Sequence, residues 1–321
     1  MTSLLVWLAV LCSSVNIAIA KDAALETVSK HGKLHVEGTQ LMDEHDMPVQ
    51  LKGMSLFWSV WMPKYWTPAT IDSIHNACHS NIVRAAMAVE YEGYLTDKDT
   101  QMKMVETVIE AAIKDDIYVI ADWHDWHGEN HLAQAKEFFD TVSKKYGKYP
   151  NILYETYNEP LDISWSNVVK PYHESVIKTI RANDPDNVIL LGSPHYDQDI
   201  DKSVKDLITG QKNIMYTLHF YAHENKQWLR DRADGVLKQG MPIFISEYGT
   251  VDGSGNGTVD PAESQLWWTW LDQHNLSYVN WALSDKEESA SVLIPGTPAE
   301  QACQERYLTE SGKLVIAQNK K

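Results

Sequence analysis

Asn151-Ile152-Leu153-Tyr154-Glu155-Thr156-Tyr157-Asn158-Glu159-Pro160 is the stretch on which the fold turns. Its first part is a short apolar and aromatic run that reads as a β-strand. Its end, Asn158-Glu159-Pro160, leaves a carboxylate at the strand's C-terminus. A second stretch repeats the arrangement: Pro242-Ile243-Phe244-Ile245-Ser246 leads into Glu247-Tyr248-Gly249.

Working outward, apolar, β-branched runs recur at 49–57, 81–87, 117–123, 151–157, 187–192, 214–221, 242–246 and 277–283. Helical patterns lie between them, at 99–114, 132–146, 166–182, 226–239 and 261–274. Strand–helix alternation predicts a parallel sheet. Eight units over about 250 residues is the usual size of a (β/α)8 TIM barrel. A doubly wound α/β sheet would stop near five or six strands and bind at one switch point. Here polar residues end nearly every strand, which favours the barrel. Ahead of the first strand, 32–36 and 40–42 read as a small β-hairpin with Asp43-Glu44-His45-Asp46 as a turn. It is placed as a lid over the barrel bottom.

The first twenty residues contain no Asp, Glu, Lys or Arg. Leu4 to Leu11 is an apolar core and Ala18-Ile19-Ala20 a cleavage pattern, so 1–20 reads as a secretory signal peptide. The expected mature chain, 21–321, is one catalytic domain, extracellular and monomeric, with no appended binding module. No later segment is apolar enough to cross a bilayer. The net charge of −16 argues against nucleic acid and anionic membrane as partners. A soluble protein acting on a neutral polymer fits. Cys78 and Cys303 read as two separate buried thiols at opposite ends of the barrel, with pairing left open. Asn256-Gly257-Thr258 and Asn275-Leu276-Ser277 are N-glycosylation sequons.

In a barrel, residues at the strand C-termini converge on one mouth. In order these are Arg84, then Asp122-Trp123-His124, Asn158-Glu159, His219-Phe220-Tyr221, Glu247 and Asn280-Trp281. Two carboxylates from separate strands suit cleavage of a glycosidic bond, one as proton donor and one as nucleophile or base. A buried Arg needs a carboxylate partner. Asp122, His124, His127 and His131 resemble a metal cluster, but their spacing matches no metal-hydrolase motif, and no metal or cofactor is expected. Sugars present apolar faces to aromatic rings. Trp61 and Trp281 are the first candidate platforms, followed by Tyr196 and Trp58. Trp66 and Trp126 stay undecided, and Trp267, Trp268 and Trp270 are read as core.

Asn158-Glu159-Pro160, His219-Phe220-Tyr221 and Ser246-Glu247-Tyr248-Gly249, in this order, resemble glycoside hydrolase family 5. The similarity is to its secreted endo-β-1,4-glucanases, both the animal members of plant-parasitic nematodes and beetles and the bacterial ones. It runs from Leu51-Lys52-Gly53-Met54-Ser55 to Trp281-Ala282-Leu283-Ser284-Asp285-Lys286-Glu287-Glu288. The resemblance implies Glu247 as nucleophile and Glu159 as acid/base in a retaining double displacement without cofactor. It implies carboxyls about 5–5.5 Å apart. It gives Asn158 the sugar 2-hydroxyl, Arg84 and Tyr221 the support of Glu247, and His124 and His219 the lining of the reacting sugar site. Trp281 becomes the stacking floor, and Lys286 and Glu288 bind sugar hydroxyls along the cleft. The chain departs from its relatives at Tyr196, where a Trp is usual, at Glu224 and at Phe57. A related β-glycanase acting on xylan, mannan or mixed-linkage glucan is the alternative. A non-catalytic carbohydrate-binding protein is a further alternative, and the intact Glu159–Glu247 pair argues against it.

Overall fold

The structure is a computed structural model that describes residues 27–321. The signal peptide expected at 1–20 lies outside the described residues. β1 (His35–Glu37) and β2 (Gln40–Met42) form an antiparallel ribbon. Eight parallel strands then close a barrel: β3 (Lys52–Leu56), β4 (Ile82–Ala88), β5 (Tyr118–His124), β6 (Ile152–Glu155), β7 (Ile189–Leu191), β8 (Ile214–Tyr221), β9 (Ile243–Gly249) and β10 (Tyr278–Leu283). β10 pairs with β3 to complete the ring. The predicted (β/α)8 barrel is therefore the observed fold.

Strand periodicity sorts the side chains into two layers. Val83, Ala85 and Met87 of β4, and Val119, Ala121 and Trp123 of β5, point outward into the core shared with the helices. The intervening residues point into the barrel. At its lower end Ile82, Tyr118, Ile120, Leu153, Leu190, Met215, Phe244 and Val279 form an apolar plug. Val28, Leu34, Leu41, Val49 and Leu51 pack beneath it. The ribbon thus lies at the barrel bottom, as expected. Its turn does not. Gly38, at φ +60°, lies between the paired residues Glu37 and Gln40. Residues 43–47 form a separate turn, because Asp43 accepts from the backbone of His45 and Met47 and from His31 Nδ1.

Helices Lys98–Lys114, Leu132–Tyr146, Gln227–Leu237 and Pro261–His274 match the predicted spans within two residues. The span expected at 166–182 is interrupted. Trp165–Val169 is a wide π turn and the α-helix is Lys170–Arg181. Pro171 has no backbone N–H to donate, so it suits the first turn of that helix and not an interior.

The cysteine expectation is corrected. Cys78 and Cys303 form a disulfide, with Cα atoms 5.4 Å apart. The chain leaving β10 does not enter its helix directly. It runs along helix Pro68–Asn76, where Tyr65 donates to the carbonyl of Thr297, and so reaches the residues just after that helix. Of the two sequons, Asn256 is exposed in the loop after β9. Asn275 caps a helix in a left-handed conformation and donates to Gln40.

Candidate active site

One inward step up four of the strands from the apolar plug, the barrel turns polar. Ile82 is followed by Arg84, Ile120 by Asp122, Leu153 by Glu155 and Phe244 by Ser246. Arg84 is wholly buried. It meets Asp122 at 3.0 Å, Glu155 at 2.7 Å and Glu247 at 2.7 Å, and donates also to Asn158 Oδ1 at 2.5 Å. Burial alone would lower the Arg84 pKa, but the charges of Asp122, Glu155 and Glu247 raise it well above its ordinary value. Burial pushes Glu155 the other way, yet Arg84 and His219 bring it down to about 2.

Glu247 owes its orientation to an irregularity in β9. Thr217 and His219 of β8, two residues apart, pair with Phe244 and Glu247, which are three apart. Tyr278 and Asn280 of β10 show the same offset against Ile245 and Tyr248. β9 therefore carries one extra residue, a bulge of the kind that re-aims side chains. It lets Ser246 and Glu247 both serve the interior while Tyr248 returns to the outer core.

Each oxygen of the two candidate carboxylates has a donor. Glu247 Oε2 accepts from Arg84 and Oε1 from the Tyr221 hydroxyl at 2.8 Å. Burial and the Glu247 charge push the Tyr221 hydroxyl well above its ordinary pKa, so it remains a donor. Glu159 Oε1 lies 2.9 Å from His219 Nδ1, and Oε2 accepts from Trp126 Nε1 at 3.0 Å. Burial raises Glu159, but the bond and charge of His219 outweigh it and hold the carboxyl below its ordinary range. Burial opposes charge on His219 too, yet Asp197, Glu155, Glu159 and Glu247 around it raise its pKa well above ordinary.

The direction of one bond is fixed by chemistry. The Ser246 hydroxyl donates to Glu155 Oε1 at 2.6 Å. It must therefore accept at its other contact, His219 Nε2 at 2.9 Å, so His219 carries a proton on Nε2. The proton on the Nδ1 side is the one shared with Glu159. A carboxylate oxygen of Glu159, one of Glu247 and a nitrogen of His219 all lie within 4.8 Å of one another.

Above this network is a cleft of ≈ 430 Å³ lined by Glu159, Glu247, His124, His219, Tyr221, Trp61, Tyr196, Trp281, Lys286 and Glu288, among others. Every predicted site residue except Arg84 and Asn158 is in that lining, and those two lie directly beneath it. Asn158 keeps its Nδ2 without a partner among the described residues. His124 bonds Asp122 through Nδ1 and stacks parallel to Trp281, with ring centres 5.2 Å apart. Burial first, then the Arg84 charge, brings His124 down to about 3 and keeps it neutral.

A family model described as Cellulase (glycosyl hydrolase family 5) matches residues 42–287. The chain belongs to glycosyl hydrolase family 5. Within that family it is similar to Endoglucanase Z of Dickeya dadantii, 46% identical over 82% of this chain and 61% of that protein. An endoglucanase of Clostridium saccharobutylicum is 37% identical over 91% of this chain and 66% of that protein. The chain thus spans about three-fifths to two-thirds of the length of these relatives. Among solved structures, a protein from Cytophaga hutchinsonii superposes with a TM-score of 0.90 at 44% identity, covering 91% of this chain and 95% of that one. The catalytic domain of a Thermobifida fusca endoglucanase bound to cellotetraose gives 0.88 at 30% identity, covering 92% and 100%.

The family site also holds residues that sequence reasoning missed. Glu155 and Ser246 carry the buried network, and their signal was a polar side chain at an inward position of an apolar strand. Trp126, left undecided, bonds Glu159, whereas Trp66 is core and donates to the carbonyl of Phe57. Trp267, Trp268 and Trp270 are buried, as read. Trp58 is nearly buried and stacks on the half-exposed Trp61, with ring centres 4.8 Å apart. Glu224 and the 253–255 loop enter the cleft wall, where Glu224 accepts from Gly253 N–H. The four residues that resembled a metal cluster do not form one group, although His131 comes within 4.8 Å of Glu90 and Asp125 oxygens. Asp122 pairs with His124, His127 with Glu90 and His131 with Asp125.

Proposed function

We propose that this chain is a secreted endo-β-1,4-glucanase that hydrolyses cellulose-like chains with retention. The observation that carries the reading is the Glu159–Glu247 pair across an aromatic cleft, with oxygens within 4.8 Å. An inverting pair needs a wider gap, roughly 6.5–9.5 Å, to admit a water.

Glu247, oriented by Arg84 and Tyr221, attacks the anomeric carbon while Glu159 protonates the leaving oxygen. The proton that Glu159 needs crosses the 2.9 Å bond from His219 Nδ1, so His219 and Glu159 act as one proton-holding unit. Leaving-group departure gives a glycosyl ester on Glu247. Glu159 then takes a proton from water, and the hydroxide frees the sugar. Asn158 Nδ2 holds the 2-hydroxyl, and Trp281 carries the apolar sugar face. Lys286 and Glu288 bind hydroxyls further along. The names of the relatives support glucan as the polymer, and the Thermobifida fusca structure contains cellotetraose. The Cys78–Cys303 disulfide supports an oxidising compartment, as does the apolar segment at 4–11.

The test is reducing-sugar release from carboxymethyl cellulose, with xylan and mannan in parallel and EDTA in a duplicate. Proton NMR of the first product reads its anomer. A β-anomer formed first on cellulose substrates, indifferent to EDTA, is expected. An α-anomer formed first rejects retention, and preference for xylan or mannan rejects the substrate.

A further inference from the structure

The turn between Ser193 and Asp197 joins the cleft wall to the acid/base. His195, Tyr196 and Asp197 hold successive φ values of 60°, 55° and 59°. The turn sets Tyr196 in the wall of the cleft. Tyr196 N–H donates to the carbonyl of Pro160, the residue after Glu159. Asp197 is wholly buried. Its Oδ1 accepts from Ser193 N–H and its Oδ2 from the Thr217 hydroxyl at 2.7 Å. The same Oδ2 lies 3.2 Å from His219 Nε2.

We propose that Asp197 is a positioning residue of the reaction: it holds one proton of His219 on Nε2, leaving the proton shared with Glu159 as the only one free to move. The inference rests on the reading of Glu159 as acid/base.

His219 is faced by Glu155 and Glu159 from β6 and its end, Glu247 from β9, Asp122 from β5 and Asp197 from the turn. Most of these are committed elsewhere. Glu155 is held by Arg84 and Ser246, Glu247 by Arg84 and Tyr221, and Asp122 by Arg84 and His124. Glu159 meets the other nitrogen. Among the described residues Asp197 and Glu159 form ion pairs with His219 only, Glu159 at Nδ1 and Asp197 on the Nε2 side. Burial pushes the Asp197 carboxyl well above its ordinary pKa, and the His219 charge 3.2 Å away opposes that shift. As a turn clamp, an asparagine would serve equally, since its Oδ1 also accepts from Ser193 N–H. What the carboxylate adds is charge at Nε2.

Asp197→Asn separates the two roles. Wild-type turnover of a soluble cello-oligosaccharide, abolished in Glu247→Gln, first establishes the underlying reading, and a wild type inactive on every glycan would end that reading alone. The pH profile of kcat/KM is then compared. Removing an anion near a shared proton weakens the hold on that proton. The alkaline limb should therefore move to lower pH, by about one unit, with an unchanged circular dichroism spectrum. The NMR titration of the His219 ring should move with it. Tyr196→Ala, which removes only the wall, should raise KM and leave the limb in place. An Asp197→Asn enzyme with the wild-type limb and His219 titration would make Asp197 a turn clamp and overturn the proposal. If that variant does not fold, the 15N shifts of the wild-type ring decide. Both nitrogens protonated at neutral pH is the required result, and a bare Nε2 overturns the proposal.

Discussion

The lower and upper halves of the barrel interior are built from the same strands, one inward step apart, and have opposite chemistry. The lower half is an apolar plug sealed by the N-terminal ribbon. The upper half holds Arg84, Asp122, Glu155, His219, Ser246 and Glu247, all buried. A rise of about 7 Å along a strand separates the two. The plug gives stability with no functional constraint. The upper layer keeps charges from water, which costs free energy unless every charge is partnered. Division of labour within one face of one sheet lets the barrel carry a polar site without losing its core.

Glu247→Gln should break the comparison most sharply. It removes the nucleophile but leaves Arg84 two carboxylates, Asp122 and Glu155. Turnover should fall roughly 10⁴–10⁶-fold with a melting temperature near wild type. A large drop in melting temperature would assign Glu247 to the stability side.

Next comes a matched pair. Leu153→Ala in the plug should cost about 2–5 kcal/mol in a denaturant titration and leave kcat unchanged at permissive temperature. Arg84→Ala, one layer up, should cost about 3–5 kcal/mol and abolish turnover, because it strands buried carboxylates. Equal losses of kcat in both variants would contradict the division.

A smaller effect is expected with acid. His124 stays neutral in the fold down to about 3, whereas the unfolded chain protonates near the ordinary value of 6.5. Stability from His124 is full above 6.5 and is lost as pH falls toward 3. Glu155 is depressed from 4.5 to about 2, so its share is lost across that lower window. The share of the unfolding free energy from His124 and Glu155 should therefore decline below pH 6.5, by at most about 1.4 kcal/mol per pH unit for each group, while Asp122 and Asp197, raised by burial, act in the opposite direction. Leu153→Ala should lower the whole curve without changing its slope. Glu155→Gln should flatten the segment below pH 4.5, and an unaltered slope there would remove Glu155 from the account.

The smallest effect belongs to the rim. Tyr196 is 44% exposed, and its loss should raise KM for long cello-oligosaccharides a few-fold, to about 10-fold at most. Stability should not change, and a fall in melting temperature would place the Tyr196 turn with the plug.

The chain's linear order determined the barrel, because strand–helix alternation and eight apolar runs are local properties. It also marked Glu159, Glu247, Arg84, His124, His219 and Tyr221, since in a parallel barrel every strand end reaches one mouth. Of the outer cleft residues, Lys286 and Glu288 were legible only through the family resemblance, and Trp61 and Tyr196 only as aromatic candidates. What sequence could not give was anything that depends on two distant segments meeting. The Cys78–Cys303 bond required the path of the loop after β10 along a helix some two hundred residues earlier in the chain. The bulge in β9, which lets Ser246 and Glu247 share the interior, shows only in the register against β8 and β10. Ser246 donates to Glu155 and accepts from His219, and Asp197 meets the same ring, only once four elements are closed around it. Periodicity fixes which face a side chain takes. Hydrogen-bond direction and ion pairing belong to the packed three-dimensional arrangement, and the tertiary structure alone decided them.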